Sequence, residues 1–154
     1  MIQRIQTIWL LVSAISSGFL MRGGIVNFID KTGQNYCVGF SGVFRLTDSG
    51  QNLIKGSVTL SYLIILIATV SVIAILLFKS RRIQKVLTLV LVTFATSIII
   101  LLTYHSFLLV KNYDLELVPG IKMFLPPVIL IASVLAYRGI INDDRLVKSY
   151  DRLR

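Results

Sequence analysis

One histidine, one cysteine and seven acidic residues carry much of the reactive chemistry in this 154-residue chain. His105 stands between Tyr104 and Ser106 at the end of an apolar run. An imidazole can move protons near neutral pH or bind a metal. A metal centre, however, needs further His, Cys or carboxylate ligands at matched spacing, and none stands near His105 in the sequence. The residue therefore reads as a hydrogen-bonding group at a helix interface, against a proton switch or a quinone contact. Cys37 has no second cysteine to pair with, which excludes an internal disulfide and the relay of electrons through cysteine pairs. It reads as a small buried side chain. No glycine loop for phosphates, serine elbow or metal-binding helix motif occurs. The sequence thus points to no catalytic residue, no cofactor and no metal.

The elements that would position these residues are apolar. Hydrophobic residues make up 55% of the chain and charged residues 15%, where soluble domains are about 25% charged. Uncharged runs cover 5–21, 56–78, 86–110 and 123–137, the last continuing to 141 if Arg138 reaches toward the headgroups. A helix needs roughly 20 residues to cross about 30 Å of hydrocarbon. The expected fold class is therefore all-α membrane, a four-transmembrane-helix bundle forming one domain over 1–154. Its expected segments are spans at about 5–21, 57–78, 86–110 and 123–141, outer loops at 22–56 and 111–122, an inner basic loop at 79–85 and a tail at 142–154. Ala14, Ile15 and Ser16 loosely resemble a signal-cleavage site, but apolar sequence continues past them to Met21. The first run is read as a retained anchor.

The net charge of +9 is distributed unevenly. Lys79, Arg81, Arg82 and Lys85 crowd the short second connection with no acidic neighbour. The positive-inside rule places that loop, and with it both termini, in the cytoplasm. Ten of the sixteen basic residues then lie inside. This charge is a topology signal that also suits anionic headgroups. Nucleic acid is not an expected partner, because no basic patch is interleaved with exposed aromatics. No carboxylate lies within any expected span, which disfavours proton-coupled export.

The first outer loop holds two β-prone runs, 25–29 and 36–40, around a turn containing Gly33. This predicts a β-hairpin, extended to a meander if 42–46 adds a third strand, seated on the helix ends. Small residues, among them Ser13, Ser16, Ser17 and Ala132 with Ala136, suit close helix packing. Pro126 and Pro127 fit the first turn of a helix, where their missing amides cost little. In the tail, Leu146, Tyr150 and Leu153 recur at helical spacing beside Arg145, Lys148 and Arg152, predicting a short amphipathic helix or a charged extension of the fourth span.

The start, Met1-Ile2-Gln3-Arg4-Ile5-Gln6-Thr7, and the end, Arg138-Gly139-Ile140 followed by 144–154, together resemble a family of small four-helix membrane proteins of Gram-negative bacteria known as a domain of unknown function. The resemblance implies an inner-membrane location and transfers no activity. With both ends on one face, Arg4, Arg138, Asp144, Leu146, Tyr150, Asp151, Arg152 and Leu153 form the candidate interaction surface. The function expected on these grounds is a non-enzymatic membrane interaction or assembly protein. Its partners are the lipid bilayer and a membrane or cytoplasmic protein, and no oligomeric state is specified. The alternatives are a small transporter or channel component, and a lipid- or quinone-linked enzyme built around His105 and Tyr104.

Overall fold

The computed structural model describes residues 3–47, 50–78 and 80–151, and of residues 3, 4, 51 and 145–151 the backbone alone. The order is α1 (Gln3–Leu20), β1 (Gly24–Ile29), β2 (Asn35–Gly39), β3 (Gly42–Thr47), β4 (Gly50–Gly56), α2 (Val58–Leu76), α3 (Arg81–Tyr113), β5 (Glu116–Val118) and α4 (Leu125–Asp151), with a 3₁₀ turn at Ile121–Phe124. Five strands form one antiparallel sheet in the order β4-β3-β2-β1-β5. The expectation of an all-α class is therefore incorrect, because four helices share the fold with a sheet larger than a hairpin or three-strand meander.

Each helix packs on two neighbours, α1 on α2, α2 on α3, α3 on α4 and α4 on α1, which makes a four-membered ring. The inward stripes are regular. On α1 they are Gln6, Leu10, Ser13, Ser17 and Leu20, and on α2 Leu60, Ile64, Ile67, Ser71 and Ala74. Steps of three and four residues keep one face of a helix toward its neighbours. Serine and alanine in these stripes let the backbones approach closely. Serine and threonine hydroxyls on the helices bond the preceding turn, as Ser133 Oγ does to the Ile129 carbonyl at 2.7 Å and Thr88 Oγ1 to Gln84 at 3.0 Å.

The first four strands fill the connection between α1 and α2, and β5 fills the one between α3 and α4. Ile25, Val26 and Phe28 of β1 and Tyr36, Cys37 and Val38 of β2 are all buried and belong with the bundle to one apolar core, apart from the thiol. Consecutive buried residues mean that both faces of these strands are covered, which explains their unbroken apolar runs in place of alternation. Gly33 takes φ +81° in the β1–β2 turn, where the Asp30 carbonyl accepts from the Gly33 amide at 2.8 Å. The strand β5 exists through β1: Asn27, Phe28 and Ile29 pair with Val118, Leu117 and Glu116.

One further boundary differs from expectation, and another is decided between two alternatives. Arg81, Arg82 and Lys85 lie in the first turns of α3, so most of the basic loop is helical. The helix α4 runs unbroken to Asp151, so the tail through that residue takes the second of its two expected forms, an extension of the fourth helix. Nothing between Tyr137 and Asp151 breaks a helix: Gly139 is the lone glycine, and no proline occurs.

Candidate functional site

Polar groups gather at both ends of the bundle. At the sheet end, Ser57 caps the start of α2. Its amide donates to the Ser41 carbonyl at 2.8 Å, and its hydroxyl lies 3.1 Å from His105 Nε2 on α3. One turn on, Ser61 Oγ donates to the Phe40 carbonyl at 2.9 Å. The β2–β3 turn is thereby fixed to α2, and α2 to α3. Beside these bonds lies a chamber of about 210 Å³ lined by Val43, Ile54, Lys55, His105, Leu108, Leu109, Asn112 and Tyr113. The Tyr104 ring meets the His105 ring edge-on, with centroids 5.9 Å apart. A second hollow of about 240 Å³, almost wholly apolar, lies where β1 and β5 meet α3 and the Pro126–Pro127 turn of α4.

The far side of the sheet is held by surface contacts. Lys31 pairs with Asp114, the left-handed residue (φ 53°) that ends α3. This partner holds the Lys31 ammonium above its usual range. The Thr32 hydroxyl donates to Asp30 at 2.5 Å and holds that carboxyl below its usual range. Tyr36 lies 6.0 Å from Tyr113, and the Arg45 guanidinium covers Tyr36 at 5.8 Å. Cys37 is buried in β2, and desolvation pushes its thiol up. It is therefore a poor nucleophile and serves as packing.

At the opposite end, Gln6 of α1 donates its side-chain amide to the Asp143 carboxylate of α4, and both residues are buried. The second carboxylate oxygen of Asp143 has no hydrogen-bond partner among the described residues. Gly139, one turn earlier, makes room for Gln6: a Cβ there would lie 2.9 Å from Gln6 Cγ. Nearby in the fold, Gln84 of α3 donates to the Ala74 carbonyl of α2 at 3.2 Å. Polar contacts at this end thus tie α1 to α4 and α2 to α3.

The candidate interaction residues fare unevenly. Arg138 is exposed on α4, and Asp144 is half-buried and engaged with a partner. The side chains of Arg4, Leu146, Tyr150 and Asp151 lie outside the described residues, as do Arg152 and Leu153 entirely. The sequence reading missed Gln6 and Asp143 as a pair. Their signal was present: Gln6 continues the stripe of Leu10, Ser13 and Ser17, and Asp143 continues that of Ala132, Ala136 and Ile140.

Residues 2–153 match the family described as Domain of unknown function (DUF4293). The chain belongs to that family. The match takes in both ends of this DUF4293 protein and the whole of its middle, in keeping with the resemblance read from the ends. No curated protein and no solved structure matches the chain. Three helical stretches of the DUF4293 protein, Val58–Leu76, Arg81–Tyr113 and Ile121–Asp144, are long and apolar enough to cross a membrane, and Ile5–Leu20 is a shorter apolar helix.

Proposed function

We propose that this chain is a multi-pass protein of the bacterial cytoplasmic membrane. Its four helices all span, both termini lie in the cytoplasm, and the sheet stands outside as an interaction or assembly platform. The spanning reading is supported by an inside-out distribution of side chains. Ile5, Ile8, Leu11, Ile15 and Phe19 cover the outside of α1, while Gln6, Ser13 and Ser17 lie inside. The other helices also expose large apolar residues, such as Val72, Leu76, Val86, Ile100 and Ile131. Such surfaces are favourable against hydrocarbon and unfavourable against water. The 18 residues of α1 reach about 27 Å, close to the span of a bilayer core.

The proposed orientation is supported by Arg81, Arg82 and Lys85 at the end opposite the sheet. Cysteine accessibility tests it, with the buried Cys37 as a quiet background. In intact cells an impermeant maleimide is expected to label Gly33→Cys and spare Arg82→Cys. Labelling of Arg82→Cys from outside would reverse the topology.

The observation that carries the interaction reading is the open edge strand β4. Leu53 is 56% exposed and Ile54 42% on a strand paired on one side only. Proteins usually blunt such edges because they recruit further strands. The middle of the bundle is filled by Ile64, Ile67, Leu91, Ala95, Ile98 and Ala132, which weighs against a transport path. A photo-crosslinking residue at Leu53, in native membranes, is expected to trap a discrete protein adduct. One at Val72, facing lipid, is expected to trap none. No protein adduct at Leu53, or the same adducts at both positions, would rule out the platform.

A further inference from the structure

The geometry points to a phospholipid site: the chamber between β4 and the end of α3 binds the headgroup of an anionic phospholipid of the outer leaflet. This rests on the membrane-spanning reading above. The chamber has two kinds of wall. Lys55, His105, Asn112 and Tyr113 supply an ammonium, a ring nitrogen, an amide and a phenol, whereas Val43, Ile54, Leu108 and Leu109 are apolar. A phosphate with attached glycerol and acyl chains matches that division: anionic oxygens meet the donors and carbon meets the aliphatic wall.

Charge is the first discriminator. Among the described residues no acidic one lines the chamber, and Lys55 brings a full positive charge. A cationic ligand would meet no counter-charge, and a neutral one would leave that ammonium unused. Position is the second. Phe19 on α1, Tyr62 on α2, Tyr104 and Phe107 on α3 and Phe124 before α4 are all exposed at the sheet end. An aromatic girdle of this kind marks the headgroup level of a bilayer. Leu108, Leu109, Asn112 and Tyr113 form the last turns of α3 just beyond Tyr104 and Phe107, so the chamber lies at the height of lipid phosphates. Order is the third. The Ser57 hydroxyl fixes His105 Nε2 at 3.1 Å, so one wall of the chamber is held in place before a lipid arrives. The volume of about 210 Å³ suits the phosphoglycerol portion, with the acyl chains running down the exposed apolar flank of α3.

His105 is the single histidine, so labelling histidine with ¹³C gives one ring signal that reports on the chamber. The full chain in dodecyl maltoside is titrated with dihexanoyl phosphatidylglycerol, with dihexanoyl phosphatidylcholine, and with inorganic phosphate. The phosphatidylglycerol is expected to shift the His105 signal saturably and to bind about tenfold more tightly than the other two, the worth of one charge-assisted contact. Lys55→Gln is expected to remove about that factor, and Asn112→Ala to weaken binding less. Lys55 and Asn112 are exposed, so neither change disturbs the core. A His105 signal unmoved by phosphatidylglycerol overturns the proposal. So does equal affinity for phosphatidylcholine, saturation by phosphate alone at the same concentration, or full affinity in Lys55→Gln. The titration uses micelles and needs no bilayer. Failure of the spanning reading would appear separately, as release of the protein from membranes by alkaline carbonate.

Discussion

Replacing Gly42 with alanine is expected to destabilise the protein by about 3 kcal/mol or more, read as a fall in its thermal unfolding midpoint in detergent. Gly42 begins β3 with φ +141°, a region that L side chains rarely adopt. A Cβ at this position would overlap the Lys55 carbonyl oxygen and crowd the Ser57 amide and Gly56 Cα. All three are backbone atoms of the junction between β4 and α2, so no side chain can rotate away to make space. Relief requires the strand to leave the helix, which breaks the bond from the Ser57 amide to the Ser41 carbonyl. The Ser57–His105 contact is then expected to loosen with it, and the ring signal of His105 to shift. Gly33→Ala is the internal comparison. It also has a positive φ, +81°, but a Cβ there meets nothing within 4 Å. Its cost is the backbone preference alone, about 1–2 kcal/mol. Equal losses at the two positions would show that the β4–α2 junction is not the constraint claimed for it.

The parts of the fold legible in the sequence were those with local signals. The strands β1 and β2 announced themselves through apolar runs around a glycine turn, and α2 and α3 through length and uniform hydropathy, whereas the runs behind α1 and α4 were short for a span. The strands β4 and β5 lacked any such signal. Of the seven residues of β4, only Leu53 and Ile54 are apolar, and β5 has three residues in all. Both are strands because a neighbour offers them a hydrogen-bonding edge, β3 for β4 and β1 for β5. That is a tertiary cause, and a window of sequence does not contain it. The basic segment misled for a related reason. Arg81, Arg82 and Lys85 were read as loop because charge ends an apolar span, yet arginine and lysine are good helix formers, and α3 starts among them. At the candidate sites, His105 stood out as the single histidine at the end of an apolar run, but its partner Ser57 stands 48 positions away and no spacing rule links them.

The inner polar pair gives the second large effect, and its sign depends on how many partners are removed. Gln6 and Asp143 are 4% and 8% exposed and bonded to each other across the α1–α4 interface. Asp143→Leu leaves the Gln6 amide buried without its acceptor, an expected loss of about 1–3 kcal/mol. Gln6→Leu removes the donor from a carboxyl group whose other oxygen has no partner among the described residues, so its expected loss is at the upper end of that range. Gln6→Leu with Asp143→Leu removes the orphan in both directions and extends the apolar stripes of Leu10 on α1 and Ile140 on α4. The double variant is therefore expected within about 1 kcal/mol of the parent, a coupling of about 3 kcal/mol or more in the double-mutant cycle. The measurement is unfolding of the four proteins in one detergent under one set of conditions. Additive losses, with the double variant as unstable as the two single changes summed, would show that the amide and the carboxylate do not depend on each other.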